Sequence, residues 1–208
     1  LQVMNTFVMN PPKTNLRQRI GYFGADNGMY FEIDGTTAYF VERSLSTGTE
    51  TRVAQTDWNI DKLDGTGVSG ITLDLTKAQI LWMDIEWLGL GNVRLGFIVN
   101  GKFVHAHTFQ HANIIQSTYI TTASLPLRYE IANTGITTSS STIKQVCSTV
   151  ISEGGYELRG LQQAVDTPIT APVDLPSPAG TYYPVLSIRL KTSPDRLDAI
   201  VILTALSL

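Results

Sequence analysis

A lone cysteine among 208 residues excludes an internal disulfide, so the fold has to rest on its core. Cys147 lies in the strand-like run Lys144–Ser152 with no basic partner adjoining it, which predicts a small buried hydrophobe and not a reactive thiol. Charge is scarce as well: charged residues are 16% of the chain and the net charge is −3. That balance gives no electrostatic reason to expect nucleic acid or an anionic membrane as partner. No apolar run approaches the ~18 residues of a membrane span. Gly-x-Ser-x-Gly and Gly-rich phosphate loops are missing, and basic residues are not interleaved with aromatics. The chain opens on Leu1, which leaves open what precedes it.

What is present is alternation. Gln79–Trp87 places Leu81, Met83, Ile85 and Trp87 on one face and Trp82, Asp84 and Glu86 on the other. Val93–Val99 alternates too, and Asn100-Gly101 turns it into Phe103–Phe109 by a strong two-residue hairpin signal. Further strands are expected at Ile20–Phe23, Met29–Ile33, Thr37–Arg43, Thr49–Ala54, Pro126–Ala132, Ile143–Ile151, Tyr183–Lys191 and Ala199–Leu206. No helix longer than a turn or two is read. About ten short strands between turns predict an all-β, antiparallel sandwich of jelly-roll type.

Residues 1–18, with Pro11-Pro12, read as an N-terminal arm, and 19–208 as a single sandwich domain. Within it, 167–184 carries Pro168, Pro172, Pro176, Pro178 and Pro184, a spacing that blocks regular pairing and favours an extended arm. Asn133–Thr142 reads as an exposed loop. Such arms suit a homo-oligomer, a trimer being the expectation, because they can pair with edge strands of neighbouring subunits.

Counting outward from Asn100-Gly101 pairs Val99 with Lys102, Ile98 with Phe103, Gly96 with His105 and Arg94 with His107. A five-residue connection, Leu88–Asn92, then sets Glu86 beside Arg94, Asp84 beside Gly96 and Trp82 beside Ile98. This polar face holds the candidate site residues Trp82, Asp84, Glu86, Arg94, His105 and His107. His105 and His107 have the His-x-His spacing that lets two imidazoles share a metal, with Asp84 or Glu86 as a carboxylate ligand. The reading preferred over a metal site is a neutralised solvent-facing or subunit-facing row in which Glu86 pairs with Arg94, the histidines pad the surface and no cofactor binds. Trp82, beside Asp84, Glu86 and Arg94, is also the best platform for stacking a sugar. In Asp57–Gly65, Asp57, Asn59 and Asp61 have the opening spacing of a calcium loop, but Lys62 and Val68 stand where glycine and glutamate are needed. Trp58, Ile60 and Leu63 instead point to a loop folded down onto the barrel end.

Several phrases carry a resemblance: Arg19–Phe23, Asn27–Glu32, Asp57–Gly67, Leu73–Lys77, Glu86–Gly89, His111–Asn113, Arg128–Glu130 and Val150–Tyr156. Over residues 17–158 the chain resembles β-rich virion structural proteins of tailed phages and marine viruses. The resemblance implies a virion location and a capsid accessory or decoration protein, or a tail or fibre component. It also implies contact with other virion proteins such as the major capsid protein, and it transfers no catalytic residue. A carbohydrate-binding module for host attachment and a metal-dependent enzyme are the alternatives.

Overall fold

A computed structural model describes residues 1–122 and 124–152 together with Thr170. The strands expected at Tyr183–Lys191 and Ala199–Leu206, and the proline-rich arm apart from Thr170, lie outside the described residues.

Ten strands occur among the described residues: β1 (Gln2–Val8), β2 (Leu16–Phe23), β3 (Gly28–Asp34), β4 (Thr37–Ser44), β5 (Thr49–Ala54), β6 (Gln79–Ile85), β7 (Val93–Val99), β8 (Lys102–Phe109), β9 (Leu127–Asn133) and β10 (Lys144–Ile151). They form two five-stranded sheets, ordered β10-β1-β6-β7-β8 and β5-β4-β3-β2-β9, with antiparallel pairing throughout. The antiparallel sandwich read from the alternation is therefore the fold, and a jelly roll is compatible with it.

Inward-facing residues of the two sheets fill the core. Val3, Phe7, Leu81, Met83, Leu95 and Phe97 of the first sheet meet Ile20, Met29, Phe31, Ile33 and Phe40 of the second, all fully buried. Trp58 descends from the β5–β6 connection into this layer, its ring stacked 4.3 Å from Phe40. Leu63 is buried with it, as the loop reading expected, whereas Ile60 stays half exposed.

The second sheet is also covered on its outer face, by its own side chains. Phe23, Tyr30 and Val41 form a small buried cluster there. Arg19 and Arg43 lie over the Tyr30 ring, Arg52 over Tyr39 and Arg128 over Phe23. These guanidinium groups stack on aromatic faces and pair with Glu32, Asp34, Glu50 and Glu130. Gly21 lies beneath Tyr30, where a side chain would collide with the backbone of β3.

Two expectations are corrected by the sheets. Residues 2–8 of the expected arm form β1, an interior strand between β10 and β6, whose inward Val3 and Phe7 join the core. Cys147 is exposed: among the described residues β10 is an edge strand, with Val146, Val150 and Ile151 exposed beside it.

Candidate functional site

The polar face of β6–β7–β8 is real, but its register differs from the expected one. Ile85 pairs with Val93, Asp84 with Arg94 and Trp82 with Gly96. Glu86–Asn92 is therefore the connection, closed by Glu86 N–H donating to the Asn92 carbonyl at 3.0 Å. Arg94 binds both carboxylates, Asp84 at 2.7 Å and Glu86 at 3.2 Å. Trp87, taken for a strand residue, belongs to the loop.

The β7–β8 hairpin keeps the predicted pairs Val99–Lys102, Ile98–Phe103 and Gly96–His105. A bulge then intervenes: Ala106 is extra, Leu95 faces His107, and Arg94 faces Thr108. The bulge has a visible cause. The Ala106 carbonyl accepts the N–H groups of Ile60 and Asp61, and the Asn59 side chain both donates to the Thr108 carbonyl and accepts its N–H. The β5–β6 loop thus covers the edge that β8 presents among the described residues.

One extra residue reverses His107. Its ring turns inward, 4.7 Å from Phe109 and stacked toward Phe40, while His105 stays outside against Trp82. The His-x-His pair is split across the sheet and offers no shared coordination position. Among the described residues no three His, Cys, Asp or Glu side chains gather as a metal site. The calcium-like spacing also disperses. Asn59 is spent on Thr108, and the buried Asp61 carboxylate accepts the N–H groups of Leu63 at 2.8 Å and Ser69 at 2.7 Å. Burial raises the Asp61 pKa, but these bonds outweigh it and hold the carboxyl below its usual range.

Trp82 sits on the predicted face yet is only 7% exposed. Its indole lies over Gly96, 5.7 Å from Phe103 and 5.9 Å from His105, and its Nε1–H has no hydrogen-bond partner among the described residues. The ring that meets solvent is Phe103, 55% exposed and braced edge-on by Trp82. Phe103 borders an open groove of about 570 Å³ between the β7–β8 hairpin and the β5–β6 loop. Asn100, Lys102 and His105 line one side, Ser69, Val68 and Ile71 the other. Sequence reasoning placed Phe103 in the Trp82 row but did not find the groove, which depends on where a long loop folds.

A second cluster was not legible. His111 in the β8–β9 connection donates from Nδ1 to the Gly91 carbonyl and from Nε2 to Glu42 of β4, both at 2.7 Å, and stacks 3.9 Å from Tyr119. Burial opposes the imidazolium, but the Glu42 bond and charge with the Gly91 carbonyl outweigh it, so the His111 pKa is raised.

His107 has the opposite environment. Burial, then the charge of His105, pushes it down to about 4. The unfolded chain takes up this proton near its ordinary value of about 6.5, the folded protein only near 4, so stability falls as pH drops through that window. The loss should reach about 3 kcal/mol and be visible in urea unfolding at several pH values. His107→Asn, which keeps an acceptor for the Asn59 N–H, should flatten that acid limb; an unchanged slope would refute the assignment.

No known protein family matches the chain, and no curated protein matches it. Among solved structures it is similar to the binding domain of botulinum neurotoxin DC in complex with SialylT, at 14% identity and TM-score 0.32 over 57% of this chain and 26% of that one. The botulinum neurotoxin type G receptor-binding domain gives 13% identity and TM-score 0.33 over 69% and 33%. The matched part is thus a third or less of either neighbour. At these scores the likeness carries no functional argument, and the class defined by the described residues is an antiparallel β-sandwich.

Proposed function

We propose that this sandwich is a non-catalytic binding module that takes a carbohydrate in the groove beside Phe103. The observation that carries the reading is a half-exposed aromatic ring, held rigid by Trp82, at the border of a concave surface with amide, ammonium, imidazole and hydroxyl groups. Sugars present apolar C–H faces that stack on such a ring, while their hydroxyls need several donors and acceptors nearby. Asp84, Glu86 and Arg94 are spent on one another and support the sheet beneath; the ligand-facing role passes from Trp82 to Phe103.

A virion structural protein remains the second reading, supported by a different feature. Among the described residues β10 is an edge strand, with Val146 69%, Val150 40% and Ile151 44% exposed, a surface that strand addition from a neighbouring subunit would cover. In that setting a glycan site would serve host attachment from the particle surface.

A glycan array followed by titration calorimetry tests the first reading. Phe103→Ala should lower affinity for the best glycan by about tenfold while the thermal midpoint stays put, as expected for an exposed ring. Light scattering on the same samples reads the second. No glycan bound at millimolar concentration, together with a stable oligomer, would replace the carbohydrate reading with assembly.

A further inference from the structure

The β6–β7 connection, Glu86–Asn92, carries Trp-Leu-Gly-Leu-Gly at its tip. Leu88 is 91% exposed, Leu90 42% and Trp87 38%. Leu88 also holds a φ of +82°, where a bulky side chain is an outlier that persists only if its surroundings impose it. The surroundings do impose it. Tyr119 N–H donates to the Gly89 carbonyl, His111 to the Gly91 carbonyl, and the Tyr119 hydroxyl to the Glu86 carbonyl. The loop is therefore pinned through its backbone, with Leu88 left almost fully exposed and Trp87 and Leu90 partly so.

The loop that pins it adds Ile114, 63% exposed. From Phe103 to Leu127 the sequence has no Asp, Glu, Lys or Arg, nor has the loop from Trp87 to Asn92. The two loop stretches 87–92 and 110–127 thus combine exposed Trp, Leu and Ile with no formal side-chain charge apart from histidine, and the Glu86–Arg94 pair stands at the base of the first.

We propose that this end is a membrane-contact site, in which Trp87, Leu88, Leu90 and Ile114 enter the interfacial layer of an electrically neutral bilayer. Indole rings are favoured at the boundary between headgroups and acyl chains, and Leu and Ile gain by leaving water below it. Charged groups would be penalised there, and none is present in either loop tip. A pinned backbone loses little freedom when the tip inserts. No spanning segment is involved, so the contact is reversible and independent of net charge. It stands apart from the groove beside Phe103.

The test mixes the 208-residue chain with phosphatidylcholine vesicles that contain no glycan. Trp58 and Trp82 are buried, so Trp87 alone among the three indoles can respond to lipid. The expected result is co-flotation, a blue shift of emission, and quenching by brominated acyl chains. Leu88→Glu, at a position too exposed to disturb folding, should weaken partition by about tenfold or more, and Leu90→Glu should act in the same direction. A chain that neither floats nor shifts its emission overturns the proposal. So does binding that Leu88→Glu leaves intact. Vesicle-independent self-association that Leu88→Glu abolishes would assign the tip to a protein interface instead.

Discussion

Trp58→Ala is expected to cost about 3–5 kcal/mol of folding stability, the range for removing a large buried aromatic. The indole is 3% exposed and sits 4.3 Å from Phe40, and 6.5 Å from both Phe31 and Phe97, so truncation opens a cavity bounded by both sheets. It also strands the Val53 carbonyl, which accepts the indole N–H at 3.2 Å. Because Trp58 anchors the loop that caps β8 and borders the groove, the same change should loosen that loop. Urea unfolding gives the stability, and proteolysis between residues 55 and 75 reports the loop. A loss below about 1 kcal/mol, the scale of a surface substitution, would mean that the indole is not part of the core.

Glu32→Ala should be comparably damaging for an electrostatic reason. Its carboxylate is 1% exposed and pairs with Arg19 Nε at 2.6 Å and with Arg52. Removing it leaves Arg19, itself only 10% exposed, with just the more distant Glu130 at 3.4 Å. Breaking a buried pair from one side costs about 3–5 kcal/mol, because the remaining charge has lost its compensation. Arg52→Ala, from the solvent-exposed end of the network, should cost less than about 1 kcal/mol. The double variant Arg19→Met/Glu32→Leu should regain most of the loss, since apolar replacements remove both charges. Equal losses for Glu32→Ala and Arg52→Ala would contradict the buried-pair account.

These two sites also show what the chain made legible. Trp58 stood in a loop with apolar neighbours, so its inward turn could be read from local pattern. The Arg19–Glu32 pair, which joins β2 and β3 across the turn between them, was not read from the sequence, because its burial depends on the Tyr30 cluster on the outer face. The alternation in β6 and β7 identified the core face correctly. Register was a different matter. Trp87 looks like one more inward residue, yet backbone pairing ends at Ile85 and Val93, so the rows moved by two residues.

The bulge at Ala106 was invisible because its cause is a pair of N–H groups forty-odd residues earlier in the chain. With it went the apparent His-x-His site. β1 was read as an arm because Pro11-Pro12 follow it. In the structure Asn5 is buried and donates to the Tyr129 hydroxyl, a partner over a hundred residues away. Cys147 failed for a related reason: nothing in a strand sequence tells whether a neighbour lies on both sides. The His111–Glu42 contact likewise joins segments 69 positions apart.

The interleaving of the strands has a bearing on synthesis. β2, β3, β4 and β5 leave the ribosome in succession and can pair as they emerge, whereas β1, made first, has its neighbours in β6 and β10. The opening segment must wait, unpaired, until more than half of the described chain has been translated. A nascent chain stalled before β6 would hold a four-stranded meander with one bare apolar face and a dangling strand. That intermediate is a natural client for a chaperone, and its lifetime is set by elongation speed more than by the final stability of the sandwich.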